Sequence, residues 1–267
     1  MNPRADDKPS DLSFPPLTVA GRVIIVTGAG QGIGRAYALG LAEAGAHVVV
    51  ADIAADRATE VAQQIVDNGG TALPFAVDVG NGPATAAMAQ RIQDRFGRID
   101  VLINNAALHV SLQRMPFWEI ADETWDAVMR VNVAGCFRCS RAVVPTMRRG
   151  GWGRVINISS VAALVGQPNY LHYVTSKSAM IGMTRSMARE LSGTGVTVNA
   201  ILPGQILTEV DNPAQTTEAI SRVLARQIVQ RSGTPDDMLG LLIYLASPAS
   251  DFVTGQSFVV DGGLTHL

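Results

Sequence analysis

RVIIVTGAGQGIGRAYALGLAEA, residues 22–44, decides the fold. Arg22–Val26 is a short β-branched run that reads as a strand. Thr27-Gly28-Ala29-Gly30-Gln31-Gly32-Ile33-Gly34 is a glycine-rich turn, and Arg35–Ala44 is Ala- and Leu-rich, helical in composition and closed by Gly45. Strand, glycine turn and helix in that order give a glycine motif its meaning. Glycines let the backbone come close to a pyrophosphate, and a helix N-terminus offers it free N–H groups and a positive dipole. A glycine turn alone is weak, but both flanks here favour nucleotide binding.

Outward from that stretch, His47–Ala51 reads as a second strand ending in Asp52. An acid roughly 20 residues after the glycines can accept hydrogen bonds from both ribose hydroxyls of adenosine. It can also cap the helix read over Ala54–Asn68, which Gly69-Gly70 ends. A third strand, Leu73–Val77, runs into Asp78-Val79. A helix over Pro83–Phe96 precedes a strand at Asp100–Ile103, which spills into Asn104-Asn105-Ala106-Ala107. Ala121–Arg149 reads as one helix with Asn132 in its interior, where an Asn side chain competes for backbone groups. Its neighbours Val128, Met129, Val131 and Val133 argue for a buried, functional amide.

The next segment is GRVINISSVAALVGQPNYLHYVTSK, residues 153–177. Val155–Ile158 is a buried strand with Ser159-Ser160 at its carboxyl edge, and Tyr173 and Lys177 follow in a helical pattern. Residues i and i+4 share a helix face, so phenol and ammonium can share a pocket. A phenol titrates near ~10 and is a poor base alone; a cation beside it favours the phenolate. A serine hydroxyl can orient the group that receives the proton. The set suits proton transfer at a carbonyl or alcohol oxygen.

Val196–Leu202 is a further strand, ending in Pro203-Gly204. Residues 208–231 have the composition of a lid. Pro235–Ala246 is a helix and Ser257–Val260 a last strand. About seven strands thus alternate with as many helices, which implies one doubly wound parallel sheet, a Rossmann-type α/β domain with helices on both faces. Residues 19–267 form that domain, behind an arm of residues 1–18 carrying Pro3, Pro9, Pro15 and Pro16. Ligands bind beyond the carboxyl ends of such strands, and the glycine turn, Asp52, Asp78, Asn105, Ser160 and Pro203-Gly204 each read as lying at one of those ends.

Bulk properties narrow the field. Hydrophobic residues make up 47% of 267, mean hydropathy is +0.20 and charged residues are 16%, below the ~25% usual for soluble chains. A sheet covered on both faces explains this. Net charge is −2, with no basic run, which argues against nucleic acid or an anionic membrane as partner. Cys136 and Cys139 read as core residues on one helix face. No second pair completes a zinc site, the four histidines have no metal spacing, and no metal is expected. No run reaches the ~18 apolar residues of a membrane span. The opening residues lack the apolar core of a signal peptide, so a cytoplasmic location is expected.

From Gly21 to Gly263 the chain strongly resembles the short-chain dehydrogenase/reductase family. Thr27-Gly28-x-x-x-Gly32-x-Gly34 matches its cofactor motif, Asn104-Asn105-Ala106 its Asn-Asn-Ala element, and Asn132, Ser160, Tyr173 and Lys177 its tetrad. Pro203-Gly204-x-x-x-Thr208 matches a later cofactor segment. The resemblance implies that Tyr173 exchanges the proton, Ser160 holds the substrate oxygen, Lys177 lowers the Tyr pKa and grips the nicotinamide ribose, and Asn132 keeps a water in line. It implies NAD as cofactor, with Gly28, Gln31, Gly32, Ile33 and Gly34 around the pyrophosphate. Asp52 would take the ribose, Asp78 and Val79 the adenine, and Asn105 with Ala106 the adenosine side. Pro203, Gly204, Ile206 and Thr208 would meet the carboxamide. A homotetramer built through residues 160–191 and 256–267 is the family's usual assembly.

Ala107 and Ala163 stand where the family usually has glycine, and would tighten the substrate side. Leu108, Val110, Ala162, Leu164, Tyr170 and Gln205 are the candidate wall, with Val161 and His109 beside them. They are mostly apolar, and none is an arginine that could hold a carboxylate. A small to medium apolar or aromatic secondary alcohol/ketone pair is therefore expected. The alternative is a 3-oxoacyl-acyl-carrier-protein reductase, which usually runs on NADPH and needs a basic docking face; Asp52 and the net charge speak against both. A non-catalytic nucleotide sensor fits poorly with an intact tetrad.

Overall fold

A computed structural model describes residues 15–266, so the first fourteen residues of the expected arm lie outside the described residues. In chain order the elements are β1 (Val23–Thr27), α1 (Gly32–Glu43), β2 (His47–Asp52), α2 (Ala55–Asp67), β3 (Thr71–Ala76), α3 (Gly82–Phe96) and β4 (Val101–Asn104). Then follow α4 (Asp122–Val128), a π-helical turn (Met129–Val133), α5 (Ala134–Gly150), β5 (Gly153–Ile158), α6 (Ala162–Val165) and α7 (Leu171–Glu190). The chain closes through β6 (Val196–Pro203), α8 (Thr217–Leu224), α9 (Asp236–Ala246) and β7 (Ser257–Val260).

The seven strands form one sheet in the order β3-β2-β1-β4-β5-β6-β7, and every neighbouring pair is parallel. Successive strand residues point to opposite faces, and the two cores follow that alternation. Ile24, Val26, Val48, Val50, Ile103 and Ile156 meet α1, α2 and α9 through Tyr37, Val61 and Leu242. Ile25, Val49, Leu102, Val155 and Val198 meet α3 and α5 through Met88, Ile92 and Val143. Each such side chain, fully buried, contributes about 1.5–3 kcal/mol. This double cover explains why β1, β4, β5 and β6 are buried along their whole length and are rich in Val and Ile, with Arg154, Asn157, Thr197 and Asn199 as buried polar exceptions.

The expected helix over residues 121–149 is divided. Five residues, Met129–Val133, form a π-helical turn, and Ala134 N–H donates back to the Met129 carbonyl. Such turns are inserted mostly at functional sites, and this one carries Asn132. β3 begins two residues earlier than the composition predicts. It is an edge strand paired only to β2, so Pro74 costs no bond on its free side. Cys136 and Cys139 are buried, unpaired thiols on α5, and burial pushes the Cys139 thiol up to about 12. Among the described residues, no helix is long and apolar enough to cross a membrane.

Candidate active site

The turn between β1 and α1 is tight because of what glycine omits. Gly28 sits at φ 64°, a region that L side chains disfavour. A Cβ on Gly34 would fall on the Gly28 carbonyl oxygen and come within 2.5 Å of Asn105 Nδ2. That amide fastens the turn from the far strand, donating to the carbonyls of Thr27 (2.9 Å) and Gly28 (3.1 Å). Thr27 Oγ1 accepts from the backbone N–H of Asn105 and Ala106. Asn105 therefore shapes the turn. At the end of β2, Asp52 Oδ2 accepts from Gly30 N–H (2.8 Å) and Oδ1 from Ala54 N–H (3.0 Å).

Gly32 N–H, the first of α1, donates to Glu209 Oε1 at 2.9 Å. A carboxylate from the segment after β6 thus lies where a helix N-terminus favours an anion. The absent side chains at Gly28 and Gly34, and the anion received at Gly32, fit a dinucleotide pyrophosphate. Glu209 follows Thr208 directly, yet nothing in the local pattern marks it. Arg57, on the first turn of α2, donates to Gln31 Oε1 beside Gly30 and Asp52.

Beyond β3, Asp78 accepts from Gly80 N–H and from Arg130 Nη1, both at 2.8 Å. Burial works to raise its pKa, but these bonds and the charges of Arg130 and Arg138 hold it below the usual carboxylate range. Val79, next to it, is buried.

Asn132 projects from the π turn into the site and is 1% exposed. Its Oδ1 accepts from Leu108 N–H (2.7 Å), and its Nδ2 donates to Leu108 O (3.2 Å) and Ser176 Oγ (3.0 Å). The amide fastens the loop after β4 to α7. Ser176 Oγ donates in turn to Tyr173 O.

On α7, Tyr173, Ser176, Lys177, Met180 and Thr184 form one buried stripe. Lys177 Nζ donates to Ile158 O at 2.7 Å and stands 5.7 Å from the Tyr173 ring centre. Burial lowers the Lys177 pKa to about 8. It pushes the Tyr173 phenol up to about 12, against the Ser160 hydroxyl, which lowers it. Lys177 gives one of its three ammonium hydrogens to Ile158 O, which leaves two for other partners. Ser160 Oγ, at the end of β5, also accepts from Ala162 N–H (3.2 Å).

Tyr170 stacks on Tyr173 at 4.8 Å with planes 27° apart, and the His109 ring lies 4.9 Å from Tyr173. Tyr170 OH donates to His109 O (2.9 Å), and Met115 N–H donates to Asn169 O (3.0 Å). The loop after β4 and the loop before α7 thus form one rim. Val110, in the loop after β4, and Leu164, on α6, are exposed. After β6, Pro203 is the last residue of the strand, and a Cβ on Gly204 would meet Asp261 at 2.7 Å. Ile206 bridges to Gly233. Gln205 Oε1 is buried without a partner among the described residues. The glycine turn, Asp78, Asn105, Ser160 and Gly204 lie just past the carboxyl ends of their strands, Asp52 and Pro203 are the last residues of β2 and β6, and α7 carries Tyr173 and Lys177.

Comparison with known proteins agrees. A family model described as Enoyl-(Acyl carrier protein) reductase matches residues 28–265. The chain is 39% identical over 249 residues to a 3-oxoacyl-acyl-carrier-protein reductase from Synechocystis sp., covering 91% of this chain and 96% of that protein. A crystal structure of a gluconate 5-dehydrogenase from Burkholderia cenocepacia, in complex with NADP and tartrate, superposes with a TM-score of 0.88. It is 35% identical, over 93% of this chain and 96% of that one. A 7α-hydroxysteroid dehydrogenase complexed with NADH and 7-oxo glycochenodeoxycholic acid gives a TM-score of 0.87 at 35% identity, over 92% and 95%. The chain belongs to the short-chain dehydrogenase/reductase family and is an oxidoreductase acting on CH–OH groups.

Proposed function

We propose that this enzyme interconverts a secondary alcohol and its ketone with NAD(H), on a substrate with a small to medium apolar or aromatic body. The observation that carries the reading is the Tyr173 phenol, stacked beneath Tyr170 and served by the Ser160 hydroxyl, with Lys177 buried on the same helix face. A nicotinamide dinucleotide held at the glycine turn supplies or accepts the hydride at the carbinol carbon. Tyr173 holds the proton that goes to, or comes from, the substrate oxygen, and Ser160 orients that oxygen.

Gly28, Gln31, Gly32, Ile33 and Gly34 surround the pyrophosphate. Asp52 takes the ribose hydroxyls, Asp78 and Val79 the adenine, and Asn105 with Ala106 the floor beneath the adenosine side. Pro203, Gly204, Ile206 and Thr208 hold the carboxamide end, and residues 208–231 close over the substrate. A cytoplasmic homotetramer is the proposed assembly, supported by apolar residues exposed near its expected contacts, such as Leu171 and Phe252.

Two assays test this. Oxidation and reduction of aryl, alicyclic and sugar alcohols and ketones should be followed at the absorbance of NADH. Turnover concentrated in the aryl and alicyclic sets is expected, and turnover of sugars alone would refute the substrate reading. A second reading rests on the Synechocystis relative, and a 3-oxoacyl thioester in the same panel decides it. The second assay concerns Glu209. Its carboxylate competes with the phosphate for Gly32 N–H, so Glu209→Gln should tighten NADH binding. A charge at a helix N-terminus is worth about 0.3–1 kcal/mol, so the gain should be about two- to fivefold. Fluorescence titration of NADH measures it, and weaker binding would mean that Glu209 helps hold the cofactor.

A further inference from the structure

Arg114 stands at the mouth of the site, in the loop between β4 and α4. Its guanidinium carbon lies 5.2 Å from the Tyr170 ring centre, and Tyr170 stacks 4.8 Å from the Tyr173 ring. These two steps put the guanidinium no more than 10 Å from the phenol ring that exchanges the proton. With the Gln167 amide turned so that its oxygen faces the guanidinium, Nη1 and Nη2 donate to it at 3.2 and 3.1 Å. Gln167 is neutral, and the ion pairs among the described residues engage Arg22, Arg98, Arg130, Arg154 and Arg231, not Arg114.

The charge of Arg114 is felt inside the site. Burial, Lys177 and Arg114, in that order, lower the His109 pKa to about 4. His109 is therefore neutral at ordinary pH and does not compete for an anion. The rim is thus cationic on one side and aromatic on the other. An arginine fork that meets only an amide is suited to a planar, bidentate anion.

We propose that Arg114 is a specificity-determining residue that receives a carboxylate on the substrate, several atoms from the reacting carbonyl. The inference deepens the alcohol/ketone reading above and rests on it. With about 3 Å of the span between guanidinium and Tyr173 ring taken up by the contact to the guanidinium, the remaining ~7 Å has room for roughly three to five C–C bonds of ~1.5 Å each. The substrate class is then an oxo acid or hydroxy acid whose apolar middle lies along Tyr170, with its carbonyl at Tyr173 and its carboxylate at Arg114. The sequence reading excluded a carboxylate because Arg114 is not among the residues adjoining the motifs.

The test compares 4-oxopentanoate, 5-oxohexanoate and 6-oxoheptanoate with their methyl esters. It uses NADH and the native enzyme, Arg114→Gln and Arg114→Lys. Hydrogen bonds to charged groups predict an acid-over-ester preference of about 10- to 100-fold in kcat/KM for at least one pair. Arg114→Gln should abolish that preference, lowering kcat/KM for the acid about 10- to 100-fold more than for its ester, and Arg114→Lys should restore part of it. An acid-to-ester ratio near one in the native enzyme overturns the proposal. So does a loss in Arg114→Gln that falls equally on acid and ester, which would mean that Arg114 only props Tyr170. Binding of each acid and ester to the enzyme–NADH complex, read by NADH fluorescence, gives the same ratio without turnover. If neither acid nor ester is reduced, the alcohol/ketone reading fails; if the acids bind no tighter than the esters, the Arg114 inference fails.

Discussion

Tyr173→Phe should lower kcat by roughly 10²–10⁴-fold, the usual contribution of a positioned proton donor, while NADH still binds. The ring is retained, so its stack on Tyr170 and its contact with His109 persist and only the hydroxyl is lost. The native enzyme should also show a directional pH response. With the phenol at about 12, the neutral form dominates at ordinary pH and is the form that donates. Ketone reduction should therefore be nearly flat from pH 6 to 8. Alcohol oxidation needs the phenolate, whose fraction rises about tenfold per pH unit below the pKa, and should climb with pH. Initial rates in both directions, for native and variant chains, check both statements. A variant that keeps more than about a tenth of the activity removes Tyr173 from its role.

The cofactor preference should be the second large effect. Asp52 offers about four lone-pair sites on its two oxygens. Gly30 and Ala54 take one each, which leaves acceptors for two ribose hydroxyls and fixes the carboxylate in place. A 2′-phosphate there would meet a like charge. Two unit charges about 4 Å apart cost roughly 1 kcal/mol in water and about 4 at an effective dielectric near 20. That is between about fivefold and several hundredfold in affinity. Asp52→Ala should move the NAD/NADP ratio of kcat/KM toward NADP by such a factor, and Arg57, close to Gln31 and Asp52, would then face the phosphate. Asp52→Asn is the control for the backbone bonds, since it keeps an acceptor without the charge. A native enzyme that prefers NADPH, or a ratio indifferent to both substitutions, contradicts this reading. Relatives do not decide it, since one solved neighbour carries NADP and another NADH.

Much of the fold was legible because burial leaves a periodic trace. β1, β4, β5 and β6 are covered on both faces and appear as runs rich in Val and Ile, and the turns after them carry the polar residues that gather at one edge. Periodicity names a face but not a partner, and the misreadings share that cause. Asn132 was recognised as a buried amide, yet its partner Leu108 is 24 residues away. Arg57 reaches Gln31 across 26 residues, and Glu209 reaches Gly32 across 177. No local pattern encodes such encounters; they exist only once the sheet has brought the strand ends together. The π turn was hidden for a different reason: one widened turn leaves the helical composition of residues 121–149 unchanged.

The rim of the site has a consequence for how this enzyme could change its substrate. Residues 108–115 and 166–170 come from separate stretches, but Tyr170 OH holds His109 O, Met115 N–H holds Asn169 O, and Arg114 meets Gln167. The two stretches behave as a single jaw hinged on Asn132, whose amide grips Leu108 by both its N–H and its carbonyl. Grafting either stretch alone from a relative would cut three tethers at once and misplace Tyr170, which stacks on Tyr173. Selectivity in this chain is inherited as a unit, and the smallest cassette that can be exchanged is both stretches together.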